Sequence, residues 1–177
     1  MNLEEKVIKS EKMFDGRVFN VYVNRVVLPD GRESTREIVE HNGGVAIVAF
    51  EGEYVYLVRQ FRSAVKKEIL EIPAGKIEKG EDPYECGIRE LEEELGLKAD
   101  KITSLGKIYP TPGYCSETIY IYFADKFVKT KQKLDDGEFL NVEKMKISDV
   151  LKTIENGDIC DGKTVAGIYK AISFLNK

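Results

Sequence analysis

Residues 86–97 read CGIRELEEELGL, and this run limits the chain's options more than any other. The preceding Asp82-Pro83-Tyr84-Glu85 is a helix start, with Asp82 as N-cap, Pro83 at the first helical position and Glu85 at the third. Gly96 supplies the stop. At about 100° per residue, Ile88, Leu91 and Leu95 share a stripe that must be buried. Glu90, Glu93 and Glu94 fall together on the adjacent face, while Glu92 points elsewhere. Each like-charge pair at i,i+4 costs roughly 0.2–0.5 kcal/mol, and the helix dipole disfavours anions in the last turn. Either the carboxylates are solvated, or something positive sits beside them. Three carboxylates next to a buried stripe stand at the edge of a cleft, a setting that suits Mg²⁺ or Mn²⁺, which take carboxylate oxygens, water and phosphate as ligands.

The rest of the chain must supply a core for that helix. With 177 residues and 42% hydrophobic content, one sizeable core in one domain is expected. The formal net charge of −4 argues against nucleic acid as a partner, because such surfaces are basic. Cys86, Cys115 and Cys160 are far apart and odd in number, so reduced thiols are expected and a disulfide framework or zinc site is not. No apolar run reaches the roughly 20 residues of a membrane span, and the first residues lack the apolar core of a signal peptide. A cytoplasmic protein without a membrane partner is the expectation.

Strands dominate the first half. Arg17–Leu28 alternates and is rich in Val, and the turn Pro29-Asp30-Gly31 returns the chain through residues 34–41 as a hairpin. Residues 45–50, VAIVAF, suit a strand buried on both faces. Residues 53–61, 68–75, 102–109 and 117–128 read as further strands, the last as one alternating run. Residues 146–156 and 163–175 carry helical patterns. The expected class is α+β, a mixed β-sheet between helices.

The spacing Gly75, five residues, Glu81, seven residues, then Arg89-Glu90-Leu91-Glu92-Glu93-Glu94-Leu95-Gly96-Leu97 resembles the Nudix box of Nudix hydrolases at nine fixed or class-restricted positions without a gap. The resemblance implies the Nudix fold, here with an N-terminal antiparallel strand extension over 1–41 and the Nudix domain over 42–177. It implies metal-dependent cleavage of a nucleoside diphosphate linked to another group, with two or three Mg²⁺ (Mn²⁺ as the alternative) held by Glu90, Glu94 and the Ala74 carbonyl. Glu93 supports them, and Arg89 holds the Gly75–Glu81 loop through a salt bridge. Residues 58–62, 71–81 and 109–117 resemble the ADP-ribose pyrophosphatase branch, which implies AMP and ribose 5-phosphate as products. GDP-mannose is the alternative nucleotide sugar, and a non-catalytic nucleotide-binding regulator the alternative class.

By the same resemblance, Arg62 and Arg59 contact the substrate diphosphate or ribose, Lys76 is a further substrate-binding candidate, and Thr111, Pro112, Gly113 and Glu117 close over the terminal ribose. An exposed strand end and a rigid Pro-Gly turn are the simpler readings of these segments. Glu138 matches a further metal ligand on an acidic loop, and Asp136 stands where the family places its general base. Aspartate is one methylene shorter than the usual glutamate, so Glu93 or Glu117 is the fallback. Branch members are homodimers whose N-terminal strands help build the partner's adenine pocket, which makes Phe19, Arg36 and Glu40 candidate contacts; as a residue of an alternating strand, Phe19 also reads as core. Gly157–Thr164 satisfies the phosphate-loop expression GxxxxGK[ST], yet it follows a helix pattern instead of a buried strand. Asp161 as the N-cap of the last helix explains it better.

Overall fold

The structure, a computed structural model, describes residues 2–176. One compact unit holds the chain up to Gly43 together with Tyr109–Thr118; a second holds Gly44–Ile108 and the chain from Ile119 onward.

The first unit is a three-stranded antiparallel sheet of β1 (Lys6–Asp15), β2 (Phe19–Val27) and β3 (Glu33–His41), in that order. The turn at Pro29–Gly31 is the expected one: the Gly31 N–H bonds the Leu28 carbonyl at 2.9 Å, and Gly31 has φ of 87°. Strand β1 was hidden in the sequence because charges interrupt its apolar residues and all ten of its residues are exposed. Its lysines and two register shifts against β2 are the usual protection of a sheet edge. Residues 114–116 join this unit beside β3, with the Val39 N–H on the Tyr114 carbonyl at 2.7 Å and the Ser116 N–H on the Val39 carbonyl at 2.9 Å.

The second unit is built on a mixed sheet. Strand β4 (Gly44–Glu51) lies between β5 (Tyr54–Arg62), antiparallel, and β10 (Ile119–Ala124), parallel. β9 (Thr103–Ile108) and β12 (Leu140–Lys146) flank them, and the short β6 (Lys67–Glu71) and β7 (Ala74–Lys76) pair with β5 and β4. The expected strand over 68–75 is thus two strands, split at Ile72-Pro73, where proline has no N–H to continue a ladder. The expected strand over 117–128 ends at Ala124 and resumes as β11 (Val128–Lys129), which pairs with β8 (Leu97–Lys98). β12 went unread because its exposed residues include Asn141, Lys144 and Lys146.

Helices cover both faces of this sheet, which is why VAIVAF is apolar throughout. Ala46, Val48 and Phe50 pack with Val150 of α2 (Ile147–Glu155) and Ile168 and Ala171 of α3 (Gly162–Leu175). Val45, Ile47 and Ala49 pack with Cys86, Leu91 and Leu95 of α1 (Pro83–Leu95). Truncating a fully buried side chain such as Leu91 to alanine costs about 2–5 kcal/mol. The chain therefore holds α1 in one place, with its phase fixed. Among the described residues no helix is long and apolar enough to cross a membrane.

Candidate active site

Helix α1 forms as its sequence dictates. The Asp82 side chain accepts the Tyr84 N–H at 2.8 Å, Pro83 opens the helix, and Gly96 ends it in the left-handed region with φ of 62°. The acidic face lies deeper than an exposed cleft edge. Glu90 is 9% exposed and Glu94 only 1%, on the same side as Leu91 and Leu95. The solvated reading therefore fails for these two, and Ile88 is only half-buried. Glu92 does point elsewhere and pairs with Lys133 at 3.3 Å.

Two backbone features make room for the buried carboxylates. Glu94 Oε2 accepts the Ala74 N–H at 2.9 Å. The Glu90 carboxylate lies so close over Gly75 that a Cβ there would stand 1.8 Å from Oε1, so any larger residue would displace the carboxylate from this position. Burial, opposed by Arg89 and reinforced by the charges of Glu93 and Glu138, pushes the Glu90 carboxyl up to about 7. Burial with the charges of Glu90 and Glu138 pushes Glu94 up to about 8 against the Ala74 N–H. The charge of Glu138 thus acts on both carboxylates.

Arg89 braces the loop before the helix. Its guanidinium donates to Glu81 Oε1 at 2.9 Å, Glu90 Oε1 at 2.8 Å and Glu93 Oε2 at 2.7 Å. It also reaches the Lys76 carbonyl at 3.5 Å, while the Lys76 side chain is itself exposed. The Arg89 hydrogen bond holds the Glu81 carboxyl down at about 2, and Glu81 Oε2 also accepts the Glu78 N–H at 2.9 Å. Burial, then Glu81, pushes the Cys86 thiol up to about 12, so this cysteine is an inert part of the packing.

The far end of α1 is tied to the acidic loop. The Thr130 N–H bonds the Gly96 carbonyl at 2.7 Å, Gln132 Nε2 the Glu94 carbonyl at 2.6 Å, and the Lys133 N–H the Glu93 carbonyl at 2.9 Å. These bonds satisfy carbonyls that a helix end otherwise leaves unpaired. Beyond them Asp136 is exposed, and Glu138 is half-buried beside a cleft of about 300 Å³ lined also by Arg59, Phe61, Glu68 and Phe139.

The two arginines of β5 are held by carboxylates that sequence reasoning did not single out. Arg59 pairs with Glu143 of β12, and Arg62 forks onto Glu71 with Nε at 2.6 Å and Nη2 at 2.8 Å. Neither pairing left a signal in the sequence, since Glu71 reads as an ordinary strand residue and Glu143 lies in an unread strand.

Among the described residues no group of three or more His, Cys, Asp or Glu side chains stands ready-formed around a metal position. Arg89 occupies Glu90 and Glu93, and the Ala74 N–H occupies Glu94. The donor chemistry nevertheless fits a hard divalent cation: two buried carboxylates with raised affinity for protons, a third beside them, and a main-chain carbonyl at Ala74. Carboxylates that repel one another in a water-poor site need a counter-charge.

A model of the NUDIX domain matches residues 40–165, a span that contains all of these groups. The chain belongs to the Nudix family. It is 42% identical over 170 residues to a protein of Bacillus subtilis named ADP-ribose pyrophosphatase, covering 94% of this chain and 92% of that one. It is 41% identical over 168 residues to a Bacillus methanolicus protein named methanol dehydrogenase activator, covering 93% and 91%. A solved structure described as an ADP compounds hydrolase superposes with a TM-score of 0.87 over 99% of this chain and 97% of that one, at 23% identity, and so shares the Nudix fold.

The remaining expected residues of this Nudix chain lie in the first unit. Phe19 is exposed, with its ring 5.8 Å from that of Phe14, so it is not core. Arg36 pairs with Glu5 and donates to Ser34 Oγ at 3.1 Å. Glu40 accepts from Asn20 at 3.1 Å. Thr111, Pro112 and Gly113 form an exposed turn, in which the Thr111 carbonyl accepts the Cys115 N–H at 3.0 Å. Glu117 stands 3.6 Å from His41, whose Nδ1 accepts the Gly43 N–H at 3.0 Å.

Proposed function

We propose that this chain hydrolyses the diphosphate of ADP-ribose to AMP and ribose 5-phosphate, with Mg²⁺ as the metal. The observation that carries the reading is the buried Glu90–Glu94 pair, on a helix braced by Arg89, in a chain similar over nearly its whole length to a relative of that name. Glu90, Glu94, Glu138 and the Ala74 carbonyl would hold two or three ions. When bound, Mg²⁺ (or Mn²⁺) neutralises diphosphate charge and makes a water more acidic. Asp136 would take the proton from that water, with Glu93 or Glu117 as the substitute base. One P–O bond of the diphosphate breaks as the water oxygen bonds phosphorus, and the proton ends on the carboxylate. Arg62 and Arg59 fork well onto phosphate. Thr111, Pro112, Gly113 and Glu117 would contact the terminal ribose, and Phe19, Arg36 and Glu40 the adenosine. These last suit a homodimer in the cytoplasm, with no nucleic acid or membrane as partner.

The test is the purified protein with Mg²⁺ against a panel that includes ADP-ribose and GDP-mannose, with products separated by ion-exchange chromatography. AMP and ribose 5-phosphate are expected. Cleavage of GDP-mannose alone would replace the substrate, and binding without cleavage would make the chain a regulator. A second reading follows from the 41% identical relative: the chain stimulates a methanol dehydrogenase. A dehydrogenase rate that rises on adding the chain, and does not rise with Glu94→Gln, would join the two readings.

A further inference from the structure

The phosphate-loop look-alike at Gly157–Thr164 has a different use. Asp161 caps α3, its Oδ2 accepting the Thr164 N–H at 2.9 Å and the Thr164 hydroxyl at 2.6 Å. The same hydroxyl oxygen accepts the Ile72 N–H at 2.9 Å, within the break between β6 and β7. Lys163, one residue earlier, pairs with Asp161 at 3.0 Å and with Glu71. Glu71 is fully buried and also receives the fork from Arg62. Two carboxylates and two cations therefore close a charge-balanced network around the buried Glu71. It grips Ile72 two residues before Ala74, whose N–H holds Glu94. Proline at 73 makes that link stiff, and the Pro73 carbonyl is pinned by the Ile47 N–H at 2.9 Å. Gly167 completes the contact: a Cβ there would stand 2.7 Å from Ile72 Cδ1, so glycine lets α3 lie against this segment.

We propose that Thr164 and Lys163 are positioning residues for the active site. Thr164 sets Ile72–Ala74 against Glu94, and Lys163 shares Glu71 with Arg62, so that it fixes the carboxylate on which the arginine is oriented. The inference rests on the reading of Ala74 and Glu94 as metal-holding groups. Outer partners of this kind typically change metal affinity or activity by 10- to 100-fold when removed.

The experiment compares full-length wild type, Thr164→Val and Thr164→Ser. The readouts are amide hydrogen exchange at Ala74 in EDTA, Mn²⁺ affinity by calorimetry, and kcat and KM for ADP-ribose. In the valine variant the Ala74 amide is expected to exchange faster, with Mn²⁺ affinity and kcat each about 10- to 100-fold lower. Serine, which keeps the hydroxyl, restores all three. A valine variant that loses only thermal stability, with Ala74 exchange and Mn²⁺ affinity as in wild type, overturns the proposal. Should valine fail to fold, Lys163→Met decides: KM is expected to rise about tenfold with kcat less affected, and an unchanged KM overturns it. Wild type that neither binds Mn²⁺ nor cleaves ADP-ribose would refute the functional reading instead. The exchange comparison in EDTA uses neither metal nor substrate, and still decides the positioning of Ala74.

Discussion

Replacing Glu94 by glutamine should make the metal-free protein more stable at pH 8 while abolishing its activity. The carboxyl is held at about 8 against an ordinary value of 4.5. A group raised in the folded state keeps its contribution to stability below about pH 4.5 and loses it as pH rises through 8. By linkage, the metal-free wild type forfeits about 4 kcal/mol at pH 8 through this one group. Glutamine keeps an oxygen for the Ala74 N–H but buries an amide group that needs its own acceptors, at a cost of about 1–3 kcal/mol. The variant should therefore gain about 1–3 kcal/mol at pH 8 in EDTA, and at pH 5, where the wild-type carboxyl is protonated, the gain should vanish or reverse. Saturating Mg²⁺ should cancel or invert the difference, since an ion at 100 times its Kd adds about 2.7 kcal/mol to wild type alone. Urea unfolding at both pH values, with Mg²⁺ or EDTA, measures all of this beside ADP-ribose turnover. A variant equally destabilised at pH 5 and pH 8 in EDTA would refute the electrostatic account. Turnover like that of wild type would refute the ligand role.

Three further outcomes are expected. Arg89→Met leaves Glu90 buried without its cation and should destabilise the fold by about 3 kcal/mol in urea titrations, with Arg89→Lys recovering only part because an ammonium cannot fork onto three carboxylates. Glu81 is held at about 2, so its contribution is present above pH 4.5 and lost as pH falls towards 2; Glu81→Gln should remove that acid-labile step from a stability–pH profile. Asp136→Asn should slow ADP-ribose turnover by orders of magnitude with substrate binding retained; an unchanged kcat shifts the base to Glu93 or Glu117.

The parts of the site legible in the sequence were those written into one helix and its flanks. Asp82, Pro83 and Gly96 fix the ends of α1, its periodicity fixes which carboxylates cluster, and the spacing to Gly75 and Glu81 fixes the loop. Depth was not legible. Helical phase places Glu90 and Glu94 beside Leu91 and Leu95, but only the packed sheet shows that they share their burial. The partner of Arg59 and the second partner of Glu71 were illegible for another reason: Glu143 is 84 residues from Arg59 and Lys163 is 92 from Glu71, and nothing local marks such a pairing. Strands β1 and β12 were missed because an exposed edge carries charges where a buried strand would show alternation.

The bonds that tie Thr130, Gln132 and Lys133 to the end of α1 set a leash. Four residues separate the last anchored amide, at Lys133, from Glu138. At about 3.5 Å per residue even a straight run reaches no more than about 18 Å. The carboxylates of the acidic loop are thus held within that distance of the helix end, and the pairing of Leu140 with Gln60 fixes the loop's other end. Under the role proposed for Glu138, loop length becomes a catalytic variable in its own right: one residue inserted at Gly137 would alter where Glu138 can reach while leaving every side chain named above intact.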